Sequence, residues 1–208
     1  MLSEFFLSTS LAAVMTFVGS RWIDKLYRTS TELTFPDEIL TRSRYRRPIL
    51  FCSFASLNFY VLTAATVAEE KFFLLAAIFF LALMTVTDFE QYMLFDAMTL
   101  SFATIGAIRV WQMNLNVQDH ASAFLIGGGI FLLLAIISKG SLGGGDVKLI
   151  AVAGVWLGCE KLLNVVLIGT ISGGLAAILM ILAKKKSRDS YFAYGPYFAL
   201  SALYTLLL

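Results

Sequence analysis

Residues 72–87 read Phe-Phe-Leu-Leu-Ala-Ala-Ile-Phe-Phe-Leu-Ala-Leu-Met-Thr-Val-Thr and stop at Asp88. No charge interrupts the run. Its apolar residues do not alternate with polar ones, so it describes a helix in lipid rather than a strand of a barrel. Seven further apolar stretches can be marked, at residues 2–20, 48–68, 97–112, 121–138, 147–158, 162–183 and 191–208. A crossing takes roughly 20 mainly apolar residues for about 30 Å of hydrocarbon. The stretch 147–158 is short for that, unless the Gly- and Lys-containing approach to it also enters the membrane or the bilayer thins there.

Composition agrees with this pattern. Of 208 residues, 59% are hydrophobic and 14% charged, and the mean hydropathy is +0.80. A soluble domain of this length does not need so much apolar surface. The expected fold is therefore an all-α polytopic membrane protein of about eight transmembrane helices, with little room for a soluble domain. The chain turns apolar from Leu2, with no basic region before it and no small-residue cleavage site after it. We read residues 2–20 as a retained first span rather than a signal peptide.

Basic residues cluster on the cytoplasmic side of membrane proteins, and this sets the expected orientation. With the loop 21–47 placed inside and the spans alternating from there, Arg21, Lys25, Arg28, Arg42, Arg44, Arg46, Arg47, Lys139, Lys148, Lys184, Lys185, Lys186 and Arg188 all fall inside. Of the 16 basic residues, only Lys71, Arg109 and Lys161 fall outside. Both termini are then expected outside. The same assignment puts Asp88 and Asp146 on one cytoplasmic face, although neither was used to choose it.

Two segments carry the candidate chemistry. The first runs from Thr87-Asp88-Phe89-Glu90 to Phe95-Asp96-Ala97-Met98-Thr99-Leu100. The second is Gly143-Gly144-Gly145-Asp146-Val147-Lys148-Leu149. Two carboxylates held together can share one proton and one water. The ionised one deprotonates the water, and the protonated one polarises a scissile carbonyl. Like charges so close do not both ionise easily, and the pair titrates as a unit. Glycines before Asp146 would let the chain turn and let a substrate backbone approach. A structural alternative stands beside this: an Asp after glycines makes a good helix N-cap. Asp96 fits capping best, Glu90 reads as a solvated loop charge, and Lys148 as a residue that snorkels to the headgroups or tunes Asp146. Cys52 and Cys159 read as inert small core residues. His120 reads as a loop residue without ligand partners, so no metal site is expected.

Gly143-Gly144-Gly145-Asp146-Val147-Lys148-Leu149, with Ala151 and Gly154-Val155-Trp156-Leu157-Gly158, resembles the G-x-G-D-x-K-L…G-x-W-L-G signature of type IV prepilin peptidases. The Asp88–Asp96 segment with Thr99-Leu100 resembles their first aspartate motif, with Phe95 in place of the usual proline. Tyr194-Gly195-Pro196-Tyr197-Phe198-Ala199 is similar to the Phe-Gly-Pro-Phe-x-Ala stretch of their last span. The resemblance implies Asp88 and Asp146 as the catalytic pair, with Gly143, Gly145, Lys148 and Asp96 binding or positioning substrate. It also implies removal of the basic leader from a prepilin or pseudopilin, after a glycine, at the cytoplasmic face of the bacterial inner membrane. No cofactor, metal or nucleic acid is called for, and the other partner is membrane lipid.

Many members of that family carry a cytoplasmic insert with paired Cys-x-x-Cys motifs and also methylate the new N-terminus using S-adenosylmethionine. Here residues 21–47 hold no cysteine. Residues 1–47 are accordingly read as a first span plus a reduced counterpart of the methyltransferase region, and residues 48–208 as the peptidase core. Peptidase activity alone is expected, with the bifunctional enzyme as the alternative. Glu32, Asp37 and Glu38 are the expected contacts for a basic leader, and the arginines at 42, 44, 46 and 47 a topology anchor beside anionic lipid. The Gly127–Gly129 run and the Gly169/Gly173 pair are expected to permit close helix packing. A transporter using acids at the membrane midplane, a structural membrane subunit and an intramembrane protease are the competing readings.

Overall fold

A computed structural model describes residues 1–64, 67–138, 142–183 and 192–208. Lys139, Lys184, Lys185, Lys186, Arg188 and Tyr191, used above in orientation and spans, lie outside the described residues. Among the described residues the chain is helical with no strand. The helices are α1 (Leu2–Thr29), a short α2 (Ile39–Arg42), α3 (Arg46–Ala64), α4 (Ala68–Gln91), α5 (Asp96–Gln112), α6 (Val117–Ile137), α7 (Gly144–Leu182) and α8 (Gly195–Leu207). Every apolar stretch marked in the sequence overlaps one of them. Four, namely α1, α4, α6 and α7, are long and apolar enough to cross a membrane by length and composition.

Helix α7 is broken at Gly158 into two arms. Gly158 has φ 74° and ψ 177°, a backbone region that essentially only glycine occupies. Straight continuation would put Gly173 about 40 Å from Asp146 at 1.5 Å per residue. Instead, a Cβ on Gly173 would stand 2.9 Å from the ring of Tyr194, the neighbour of Gly195, which meets Asp146. The chain therefore doubles back at Gly158.

The reversal is stitched from outside. The Asp119 carboxylate of α6 accepts the Cys159 N–H at 3.3 Å through both oxygens, capping the second arm. His120 Nδ1 lies 2.9 Å from the Val155 carbonyl, and Arg109 donates to the Trp156 carbonyl at 3.0 Å. Those carbonyls end the first arm, where a helix has no partners of its own. His120 thus sits in the first turn of α6 rather than in a loop, correcting the sequence expectation. The cysteine expectation is corrected as well: Cys52 is exposed on α3 and Cys159 is half-buried at the reversal.

Helix α4 is the hub of the bundle. It packs against α1, α3, α5 and α8, while α7 packs against α5, α6 and α8. Within its most apolar window 56% of residues are buried, against 17% in the corresponding windows of α6 and α7. So α6 and the second arm of α7 keep most of their surface for surroundings outside the chain, while the first arm of α7 is largely buried. Aromatic rings tie the layers together: Trp22 of α1 stacks on Phe79, Phe80 leans on Phe102 of α5, and Phe102 stacks on Trp156 of α7 at 4.7 Å. The Trp156 indole donates to the Phe102 carbonyl at 2.8 Å, which satisfies the one polar atom this buried ring carries. Of the glycines expected to permit close packing, Gly127 and Gly128 face Leu162 and Ala151 of α7, and Gly169 and Gly173 face Phe198 and Tyr194, whereas a Cβ on Gly129 would meet nothing within 4 Å among the described residues.

Candidate active site

Three helix ends meet at one end of the bundle. Asp88 lies in the last turn of α4. That helix stops because Tyr92 takes a left-handed conformation, φ 53° and ψ 38°, returning its N–H to the Asp88 carbonyl at 2.9 Å. Positive φ in a bulky residue is uncommon, and it swings the chain away from the helix axis beside Asp88. Asp146 is the third residue of α7, behind the N-cap Gly143. Its carboxylate folds back beside that N-cap residue, 3.4 Å from where a Cβ on Gly143 would stand. Gly195 is the first residue of α8, and its backbone lies against the Asp88 carboxylate.

These positions bring the two carboxylates face to face. A Cβ on Gly195 would stand 2.6 Å from Asp88 Oδ2 and 3.3 Å from Asp146 Oδ1. The two acids are therefore separated by no more than the space beside one glycine. Asp88 is 6% exposed and Asp146 9%. Asp88 Oδ2 is buried without a hydrogen-bond partner among the described residues, so it remains available to a proton or an incoming group. The N-termini of α7 and α8 both point at the pair, and their partial positive charge favours negative charge there. Two acids, one unengaged oxygen and two helix dipoles suit general acid–base chemistry on a water. Among the described residues no group of three His, Cys, Asp or Glu is placed to hold a metal ion.

The remaining sequence candidates lie around this pair. Lys148 Nζ binds Asp96 Oδ1 at 2.5 Å, with both side chains at least half exposed. The expectation that Asp96 caps α5 is corrected: Phe95 holds the cap position, no side chain caps the helix, and the Asp96 carboxylate turns to Lys148 instead. That bridge ties the start of α5 to the start of α7. Neither Gly143 nor Gly145 has positive φ, so neither is demanded by a left-handed backbone. Gly145 serves by close approach, because a Cβ there would meet Leu94 at 3.1 Å.

A second cluster escaped the sequence. Glu90, expected to be solvated, is 5% exposed, and Arg46, expected to be a lipid anchor, is 4% exposed. Arg46 donates to Glu90 through Nε at 2.9 Å and Nη2 at 2.6 Å, and to Asp24 at 2.5 Å. The Tyr27 hydroxyl donates to Glu90 at 2.9 Å. Arg42 does not reach outward either. It pairs with Glu38, donates to the Phe89 and Glu90 carbonyls, and lies 3.6 Å over the Phe35 ring. The Gln91 amide, fully buried, grips the Phe35 backbone at both its N–H and its carbonyl. A charge pattern reads Arg46 and Glu90 as surface residues; only the packing of α1 and α3 on the end of α4 buries them.

Comparison with known proteins matches residues 75–178, half of the chain, to the type IV leader peptidase family. Both Asp88 and Asp146 lie inside that span. The chain is 31% identical over 140 residues to a prepilin leader peptidase/N-methyltransferase of Legionella pneumophila, covering 64% of this chain and 49% of that protein. A protein of the same description from Neisseria gonorrhoeae is 32% identical over 123 residues, covering 56% and 42%. One from Escherichia coli K12 is 26% identical over 189 residues, covering 85% and 82%. The chain thus spans about half the length of the Legionella and Neisseria relatives. No solved structure matches it.

Proposed function

The chain belongs to the type IV leader peptidase family, and on that premise we propose that it is a membrane aspartyl endopeptidase removing the basic leader from prepilins or pseudopilins. The observation that carries this reading is the meeting of Asp88 and Asp146 across Gly195. One carboxylate takes a proton from water as it attacks the scissile carbonyl. The other, protonated, gives its proton to the developing oxyanion; the first then passes the proton it took from water to the leaving amine, while the second takes back a proton from the collapsing gem-diol. Each acid alternates between the two states over a cycle, so neither is assigned one fixed role. Lys148 and Asp96, bridged at the exposed rim, would position the substrate with Gly143 and Gly145.

In the bilayer α1, α3, α4, α5, α6, the two arms of α7 and α8 would supply eight crossings, with both termini outside and the acids at the cytoplasmic face of the inner membrane. The concentration of basic residues on that side supports this orientation. Residues 1–47 would act as a first span and a reduced cytoplasmic loop, and residues 48–208 as the peptidase core.

Co-expression with a prepilin tests the assignment. The wild-type chain should mature the substrate, and Asp88→Ala and Asp146→Ala should each leave it unprocessed. Maturation by either variant would end the two-aspartate reading. The relatives' names carry a second activity, but the loop 21–47 lacks cysteine, and we assign peptidase activity alone. The mass of the mature pilin should correspond to an unmodified N-terminus; a methyl increment produced by this chain alone would restore the bifunctional alternative.

A further inference from the structure

The last turn of α4 carries Asp88, and a terminal turn is where a helix holds itself least well, since its carbonyls lack intrahelical partners. Here that turn is gripped two residues past the acid. Glu90 lies about 200° around the helix from Asp88, so one side chain faces α7 and α8 while the other faces α1 and α3. The Glu90 carboxylate receives two nitrogens of Arg46 from α3 and the Tyr27 hydroxyl from α1. Arg46 is itself held by Asp24 of α1, and Arg42 occupies the Phe89 and Glu90 carbonyls. A bidentate guanidinium–carboxylate pair fixes direction as well as distance. Neither partner is exposed, and neither contacts the dyad.

Building on the peptidase reading above, we propose that the buried Arg46–Glu90 pair is a positioning device for the reaction, setting the height and rotation of the α4 end and so the aim of Asp88 at Asp146. Burying such a pair is weak evidence for stability, because desolvation offsets most of the attraction. Aim is different: a shift of about 1 Å at a reacting group costs about a hundredfold in rate. Only the α4 turn between Glu90 and Asp88 separates the pair from the acid. The loss should therefore fall on turnover rather than on substrate affinity.

The test uses the full-length chain, purified into liposomes, cleaving a purified prepilin, with kcat and KM measured separately. Glu90→Gln keeps the shape and leaves Arg46 paired with Asp24, so it is expected to fold. Its kcat should drop about ten- to a hundredfold, with KM within about twofold of wild type. Arg46→Gln should behave alike, and Arg46→Lys, which keeps the charge but not the fork, should recover part of the loss. The double variant Arg46→Gln/Glu90→Gln leaves neither partner charged and supplies the kcat reading where a single variant does not fold. A kcat near wild type in any folded glutamine variant overturns the proposal. So does a raised KM at unchanged kcat, or the failure of all four variants to fold, which would make the pair purely structural. If the wild-type chain cleaves nothing in this assay, the peptidase reading fails instead, and the two failures are told apart.

Discussion

Gly195 governs the spacing of the two acids by what it lacks. Its backbone does not need positive φ, so alanine is allowed there conformationally, and the cost is steric. A methyl 2.6 Å from Asp88 Oδ2 is closer than side-chain atoms tolerate, and the carboxylate must move. Gly195→Ala should therefore cut cleavage about a hundredfold while the protein still accumulates in the membrane, as blotting and single-turnover rates would show. A wild-type rate would mean that the carboxylates do not react from this arrangement. Asp88 and Asp146 were legible at this scale because their motif neighbours mark them. The partner of Asp96 was not, since Lys148 lies 52 residues away and nothing local says which end of a helix another helix will meet. Glu90 was misread for the same reason: a carboxylate beyond a span looks solvated until a distant arginine is known to lie against it.

At the scale of elements, the reversal within α7 does most to assemble the site. Its first arm carries Asp146, and its second arm returns to hold α8, with Ser201 donating to the Val165 carbonyl at 3.0 Å. Gly158→Ala would force a β-carbon into a region that costs about 1–3 kcal/mol, against Asp119 as well. Asp119→Ala should cost about 1 kcal/mol, the ordinary loss of a helix N-cap. Thermal unfolding in detergent should show both variants less stable, with Gly158→Ala the worse. Equal stability of Gly158→Ala and wild type would argue against the tight reversal. The break was visible in the sequence as the gap between the apolar stretches 147–158 and 162–183. Its stitching by Asp119, His120 and Arg109 was not, because these residues are polar side chains of other helices that resemble ordinary loop or end charges.

For the whole molecule, the apolar stretches and the lopsided basic residues made the helices and their order legible, since lipid demands long unbroken runs. Which helix lies at the centre was not legible, because the most apolar windows of α4 and α6 share a mean hydropathy of 2.2 while differing in burial. Orientation can be checked directly. In a background with Cys52→Ala and Cys159→Ala, a membrane-impermeant maleimide added to intact cells should label Gln118→Cys but spare Thr31→Cys. The opposite pattern would invert the topology and put the acids on the wrong face for a leader peptidase. Bundle, reversal and loop all converge on two carboxylates, and single-turnover cleavage of a purified prepilin by the purified chain tests them most directly. Asp88→Asn and Asp146→Asn keep shape and packing while removing the titrating oxygen, and each should lower the rate by about a thousandfold or more, as loss of an acid–base group does. If either folded variant cleaves within about tenfold of wild type, water activation by this pair is contradicted.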